Sequence, residues 1–238
     1  MKIDMFINLN FKRYAIYYIP SNDLLYKLGS SWLGWDTILG QPASQPEINS
    51  DINIEKITET PRKYGLHATI KAPFRLADGV SASELERQLR TLCLSLKPIE
   101  FSLEVSELNG FFALTPTVKN TEIRELHTKV VCELDEFRAP PTKDELIKRR
   151  RNQLTSEQDQ NLIKWGYPYI FKDFYFHITL TGKIPKNLKN TVTDEIKKFF
   201  EPVLQRKFLM SELALVGEGH DGNFHVIFQM PFGQKSKK

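Results

Sequence analysis

The amino-acid sequence predicts an α/β protein, of the mixed α+β type, in which two similar lobes flank a central cleft. Three observations lead to this prediction: an internal repeat, segments that alternate between polar and apolar residues, and helical patterns between those segments. The chain has 238 residues, of which 41% are hydrophobic and 26% are charged. A chain of this length and composition can build a hydrophobic core.

The first segments are predicted as a strand, a short helix and a loop. Residues 12–19 are rich in aromatic and branched side chains, which favour a strand, and Pro20 ends it. The run Ser21–Asp23 consists of residue types that cap helices, so a short helix should follow. Residues 34–61 hold three prolines and many polar residues. We interpret them as a long surface loop that serves as a lid or binding loop.

The repeat consists of two strand–helix–strand–strand units, and each unit opens on a His-x-Thr motif. In the first unit, residues 63–72 alternate strictly, which places His67, Thr69 and Lys71 on one face of a strand. Two further motifs predict its remaining elements: a helix that begins at the capping box Ser81-x-x-Glu84, and two strands joined by the hairpin turn Asn109-Gly110.

The second unit starts at Phe174 and follows the same pattern. Its first strand carries His177, Thr179 and Thr181 on one face, and apolar residues on the other. A helix comes next, followed by two strands predicted at residues 207–216 and 223–230. Two such units suggest two lobes related by an approximate twofold axis, with the opening strands facing each other.

We therefore predict one bilobal domain over residues 1–238. The first lobe spans about residues 12–119 and the second spans 120–238, which includes a helical linker at 120–165. The linker contains the basic run Lys148–Arg151. We interpret this run as a solvated face of a helix, with nucleic-acid binding as the weaker alternative.

The two His-x-Thr motifs carry the chemistry that the sequence suggests. If the lobes pair symmetrically, His67, Thr69, His177 and Thr179 converge on one small volume. One neutral imidazole can then deprotonate an attacking oxygen, while the other, as imidazolium, protonates a leaving oxygen at phosphorus. The threonine hydroxyls can donate hydrogen bonds to the non-bridging oxygens. This chemistry requires neither a metal nor a cofactor, and we expect none.

Four more residues are candidates for substrate binding. Lys71 shares the face of His67 and could reach a phosphate oxygen, or it could be a solvated lysine at the strand end. Arg13 and Tyr17 share one face of the first strand and could line the same cleft or belong to the fold alone. Thr181 continues the polar face of the second motif.

Other motifs point away from known cofactor sites. Gly217-x-Gly219-x-x-Gly222 has the spacing of a dinucleotide-binding loop, but it joins two predicted strands and is interpreted as a hairpin loop. His127 lies in a predicted helix and is expected on its surface. No His-Glu-x-x-His or Cys-x-x-Cys motif is present, which disfavours zinc.

The net charge of +4 favours a small anionic partner over a long polyanion. No apolar stretch approaches the 18 residues or so of a membrane span, and the amino terminus lacks a signal-peptide pattern. We therefore expect a cytoplasmic protein whose partner is a small anionic phosphodiester, with no membrane contact. RNA is the less favoured partner.

The motifs resemble those of the 2H phosphoesterase superfamily, and several runs resemble a poorly characterised family associated with phosphonate metabolism. These runs are Arg13–Tyr18, Trp32–Gly34, Pro61–Arg75, Phe137–Pro140, Trp165–Tyr169 and Phe176–Gly182. The resemblance implies mainly antiparallel sheets with flanking helices around a central cleft. It also implies metal-independent opening of a cyclic phosphate, with His67, Thr69, His177 and Thr179 as catalytic residues.

The leading hypothesis is a cyclic phosphodiesterase that acts on a ribose, a sugar phosphate or a nucleotide. One alternative applies the same chemistry to RNA ends, as a phosphodiesterase or a ligase-like enzyme. A second alternative is a non-catalytic protein that binds a phosphorylated metabolite. The sequence does not distinguish which histidine is the acid, and it leaves the oligomeric state open.

Overall fold

The computed structural model describes residues 11–21, 23–49 and 51–233. In these residues the protein consists of an antiparallel sheet with helices packed against it. The strands in these residues are β1 (Tyr14–Tyr18), β2 (Trp35–Asp36), β3 (Gln41–Pro42), β4 (Ala68–Phe74), β5 (Ile99–Leu108), β6 (Phe111–Pro116), β7 (Ile178–Lys183), β8 (Lys207–Met210), β9 (Glu212–Glu218) and β10 (Phe224–Pro231). The α-helices are α1 (Leu24–Leu33), α2 (Ile54–Arg62), α3 (Ala82–Leu94), α4 (Thr121–Glu133), α5 (Lys143–Arg150), α6 (Ser156–Trp165) and α7 (Lys189–Leu204).

The main sheet has eight strands in the order β10-β9-β1-β4-β7-β6-β5-β8, and each of these neighbouring pairs is antiparallel. Helices α1, α2 and α7 contact the half of the sheet that contains β7 and β5, and α3 contacts β9 and β10. The predicted fold class, with antiparallel sheet and flanking helices, is confirmed.

The two repeated units interleave in this sheet. Strand β7, which opens the second unit, lies between β4 and β6 of the first unit. Strand β9 of the second unit pairs with β1 near the start of the chain. Each half of the sheet therefore takes strands from both units. The predicted boundary at residue 119 separates the two repeated units along the chain, but it does not divide the sheet.

The sheet curls so that its two ends meet at Ser211. Strands β8 and β9 are separated along the chain by this single residue, yet β8 is the last strand of the sheet and β9 is the second. The backbone N–H of Phe232 also donates to the Ser211 carbonyl oxygen over 2.7 Å. The prediction of one continuous strand at 207–216 is wrong, because this segment divides into two strands with different partners. Strand β8 pairs with β5, whereas β9 pairs with β1 and β10.

Residues 34–61 are not the long loop that the sequence predicts. They contain the short hairpin β2–β3 and the first eight residues of α2. Asn53 caps α2, because its side chain accepts a hydrogen bond from the backbone N–H of Lys56. Pro61, near the end of this helix, favoured the prediction of a loop. The helix nevertheless forms, because α2 packs against β7 and this contact stabilises it. This segment therefore supports the strand that carries Thr179 of the second motif.

Local motifs predicted the start of α3 and the turn between β5 and β6 correctly. Capping boxes begin α3 at Ser81 and α5 at Thr142, and the Asn109-Gly110 turn joins β5 to β6 with positive φ angles of 49° and 95°. The predicted helical linker is present as α4, α5 and α6. Among the helices in the described ranges, none is long and apolar enough to cross a membrane.

Candidate active site

The two His-x-Thr motifs lie side by side at the centre of the sheet. Strands β4 and β7 pair antiparallel at Ala68 and Ile178. This register places Thr179 across from His67, and His177 across from Thr69. Residues at positions i and i+2 share one face, so the four side chains form a two-by-two array with the histidines on a diagonal.

Both imidazoles are oriented by the same local hydrogen bond. Nδ1 of His67 lies 2.9 Å from the Gly65 carbonyl oxygen, and Nδ1 of His177 lies 2.8 Å from the Tyr175 carbonyl oxygen. A carbonyl oxygen can only accept, so each Nδ1 carries a proton and donates it. In the neutral ring, each Nε2 then has a free lone pair. The Thr69 hydroxyl lies 3.0 Å from Nε2 of His67 and donates to it in this tautomer.

Both histidines favour the neutral form. The pKa of His67 is lowered to about 4, mainly by burial; the hydrogen bond to the Gly65 carbonyl opposes this shift, and nearby His177 adds to it. Burial also lowers the pKa of His177. A neutral imidazole can accept a proton at once, whereas an imidazolium at this site needs a nearby negative charge. A bound anion would therefore raise the pKa of both histidines.

Aromatic rings support His67 from beneath and from the side. The ring of Tyr17, which is fully buried, stacks on His67 with centroids 3.8 Å apart. The ring of Tyr64 lies 5.9 Å from His67 and 5.1 Å from Phe224. The Tyr17 hydroxyl is buried and has no hydrogen-bond partner among the described residues. These contacts fix the plane of the imidazole.

A cavity of about 510 Å³ opens beside the array, and we call it the histidine cavity. It is large enough for a small organic ligand. Its lining includes Thr69, Ala72, Phe111, His127, Tyr167 and His177.

Of the motif residues, Thr69 and His177 line this cavity, and His67 and Thr179 do not; Lys71 and Thr181 do not line it either. Lys71 is only 4% exposed, and its ammonium donates to the Val131 carbonyl oxygen over 3.1 Å and to Asp135 Oδ1 over 3.3 Å. The β1–β4 register shifts next to Lys71, which interrupts the predicted strict alternation. The Thr181 hydroxyl is buried, accepts from the Phe112 N–H over 2.9 Å and donates to a backbone carbonyl. Any role of these two residues in binding substrate stays a prediction.

Arg13 and Tyr17 lie on two sides of the site. Arg13 forms a 2.5 Å ion pair with Glu218 and lines a second, basic groove together with Tyr64. Tyr17 lies beneath His67, where it packs against the ring. The catalytic roles of the four motif residues likewise stay predictions. Their side-by-side placement is what the structure adds.

His127 is buried, and its predicted position on a helix surface is wrong. Nδ1 donates to the Ile70 carbonyl oxygen over 2.7 Å, and Nε2 accepts from the Phe171 N–H over 3.3 Å. Its ring stacks on Phe174 with centroids 3.7 Å apart. His127 therefore joins β4, just after Thr69, to the segment that leads to His177.

The buried His127 should make folding sensitive to acid. Burial lowers its pKa to about 4 from an ordinary value of 6.5. Between these values the unfolded chain binds a proton that the folded chain does not, so stability falls as pH decreases. We expect His127 to account for a loss of about 2 kcal/mol between pH 7 and pH 5. Urea unfolding of the wild type and of His127→Gln at both pH values measures it. The wild type should lose more stability than the variant, and equal losses would contradict this assignment.

No group of three or more His, Cys, Asp or Glu side chains in the described part of the chain has an arrangement suited to a metal ion.

The sequence analysis did not identify Tyr64 and Gly65 as residues of the site. Both lie in the conspicuous run Pro61–Arg75, and the glycine before the first motif is the signal that could have identified a special backbone position.

Comparison with known proteins identifies a family for most of this chain. Residues 69–225 match the family described as "Protein of unknown function (DUF1045)". The match contains Thr69, His177 and Thr179, and it begins two residues after His67. The prediction of a poorly characterised family is thereby confirmed.

Two curated relatives carry the name "Ribose 1,5-bisphosphate phosphokinase PhnN". The protein of Janthinobacterium sp. (strain Marseille) is 39% identical over 176 residues, and that of Laribacter hongkongensis (strain HLHK9) is 35% identical over 173 residues. Each alignment covers 72% of this chain, but only 39% and 40% of the relatives. The chain thus spans about two fifths of the length of these relatives.

Two solved structures are similar to this chain at low sequence identity. They are described as "Crystal structure of phosphoesterase" and "Crystal structure of E.coli LigT complexed with NADP+". Both have a TM-score of 0.44 and 12% identity, and they cover 94% of this chain. The alignments cover 100% and 99% of the two solved chains.

Proposed function

We propose that this chain, which belongs to the DUF1045 family of proteins of unknown function, is a phosphodiesterase that opens a cyclic phosphate by two-histidine acid–base catalysis. One observation carries the proposal. Two His-x-Thr motifs meet at the Ala68–Ile178 pair, and identical Nδ1–carbonyl hydrogen bonds leave both Nε2 atoms available for proton transfer. Two such groups can act at once on the attacking and the leaving oxygen.

The proposed reaction needs only water and the two imidazoles. A water oxygen attacks phosphorus, and the neutral Nε2 of one histidine takes a proton from it. The other histidine, as imidazolium, donates its Nε2 proton to the ring oxygen that leaves phosphorus. One P–O bond forms and one breaks, so a cyclic diester becomes a monoester with a free hydroxyl group.

The bound diester itself supports this protonation state. Its negative charge favours the imidazolium and so raises the pKa that burial lowers. The Thr69 and Thr179 hydroxyls would donate to the non-bridging oxygens, where negative charge grows in the transition state. The Thr69 hydroxyl, which donates to Nε2 of His67, would exchange this acceptor for a phosphate oxygen.

A ribose cyclic phosphate is the substrate that we favour. The curated relatives are named for an enzyme of ribose 1,5-bisphosphate, although this chain matches only part of each. Water opening a 1,2-cyclic phosphate on ribose 5-phosphate at the 2-oxygen leaves ribose 1,5-bisphosphate. The predicted link to phosphonate metabolism is part of the same proposal.

A substrate screen tests this function. We expect turnover of ribose 1,2-cyclic phosphate or a nucleoside 2′,3′-cyclic phosphate, followed by phosphorus NMR, at rates that EDTA does not change. The screen should include linear diesters and RNA with a cyclic end, which would reveal the RNA alternative. Binding of these compounds without turnover would support the non-catalytic alternative, and inhibition by EDTA would contradict the metal-free mechanism.

A further inference from the structure

A second concave surface lies close to the histidine cavity, and we call it the basic groove. It has a volume of about 370 Å³. Six cationic side chains and one carboxylate line it: Arg13, Lys63, Arg75, Arg138, Lys148 and Arg149, with Glu145. So many like charges around one cavity raise its positive potential, which favours an anion.

Internal ion pairs neutralise only part of the basic groove: Arg13 pairs with Glu218 and Arg138 pairs with Asp135. Among the described residues, Lys63, Lys148 and Arg149 have no carboxylate partner. Arg75 lies 3.5 Å from Glu145, but both side chains are at least 40% exposed, so that pair is weak. A net excess of positive charge therefore faces the groove.

Two tyrosines connect the basic groove to the histidines. Tyr64 lines the groove, and its ring centroid lies 5.9 Å from that of His67. The Lys63 ammonium lies 5.0 Å from the centroid of the same Tyr64 ring. Tyr167 lines the histidine cavity, and the Arg149 guanidinium lies 4.8 Å from its ring. One tyrosine ring thus lies between Lys63 and His67, and another lies between Arg149 and the histidine cavity.

We propose that the basic groove binds a second phosphate group of the substrate, carried on the same sugar as the cyclic phosphate. This inference rests on the proposed function and narrows its substrate class to phosphorylated sugar or nucleoside cyclic phosphates. The spacing of one aromatic ring between the groove and His67 fits a compact substrate. A phosphate monoester carries more charge than the cyclic diester and is matched by lysine and arginine donors.

Matched substrates test the inference. Uridine 2′,3′-cyclic phosphate and ribose 1,2-cyclic phosphate should each be compared with the same compound carrying a 5-phosphate on its ribose. We expect the additional phosphate to lower KM about tenfold or more, since it adds charge-assisted hydrogen bonds. Higher salt should reduce this advantage.

A double variant assigns that effect to the groove. Lys148→Gln/Arg149→Gln should raise KM for the substrates with the second phosphate about tenfold. KM for substrates without the second phosphate should change much less. The control is Lys197→Gln/Lys198→Gln, which removes the same charge from two exposed neighbours on α7 and should leave both KM values unchanged.

The outcomes separate the two proposals. If cyclic phosphates are hydrolysed but the second phosphate and the double variant change nothing, the groove inference is overturned and the proposed function stands. If no cyclic phosphate is hydrolysed, the proposed function fails, and calorimetry with ribose 5-phosphate decides the groove. Binding weakened tenfold by the double variant would support the inference, and equal or absent binding would overturn it. Preferential binding of an RNA oligonucleotide would also overturn it.

Discussion

Replacing either His67 or His177 by alanine should lower kcat by about three orders of magnitude or more. Each variant leaves one imidazole, so either the attacking or the leaving oxygen lacks its proton-transfer partner. The two imidazoles act in one step, so the double variant should be little slower than either single variant. Steady-state rates on the best cyclic phosphate from the screen measure all three effects.

His220 provides the matched control for these variants. It is an exposed histidine in the turn between β9 and β10, and it lines neither the histidine cavity nor the basic groove. His220→Ala should keep full activity. Thermal unfolding of all variants checks that the losses are catalytic, since His67 packs on Tyr17 and its removal leaves a small void. Substantial turnover by both single variants would rule out two-histidine catalysis.

Period-two alternation predicted the relation of His67 to Thr69 correctly and that of Lys71 to His67 wrongly. It placed His67 with Thr69, and His177 with Thr179, because one extended strand is enough to set that relation. It failed at Lys71, because the β1–β4 register shift next to it depends on a neighbouring strand and not on the local sequence. Pairing between β4 and β7 followed from the repeat, which is a property of the whole chain.

Features that depend on contacts between distant parts of the chain could not be predicted from local sequence patterns. The break at Ser211 and the helix α2 depend on strands that lie far away along the chain, and local propensity cannot report them. The basic groove combines residues from positions 13 to 166. The run Lys148–Arg151 looked like a solvated helix face when taken alone, and only the fold brings Lys148 and Arg149 beside Tyr64 and Tyr167.

The backbone carbonyl of Gly65 accepts a hydrogen bond from His67, so Gly65→Ala should lower both the free energy of unfolding and kcat. Its φ angle is +66°, which costs a residue with a Cβ atom about 1–2 kcal/mol. A Cβ atom there would lie 1.6 Å from Thr37 Oγ1, and Thr37 is fully buried. We expect a total loss of about 3 kcal/mol in the free energy of unfolding. The Gly65 carbonyl also orients His67, so kcat should fall about 100-fold.

Two companion variants separate the steric clash from the backbone strain. Gly79→Ala has a similar φ of +79° with no atom within 4 Å of the new Cβ, so it should lose only about 1 kcal/mol and keep its activity. Thr37→Ala removes the oxygen at 1.6 Å and leaves a Cβ contact of 3.0 Å. The double variant Gly65→Ala/Thr37→Ala should therefore be more stable than the two single losses predict. Urea unfolding measures this coupling. If Gly65→Ala proves no less stable and no less active than Gly79→Ala, the close approach to Thr37 does not hold His67 in place.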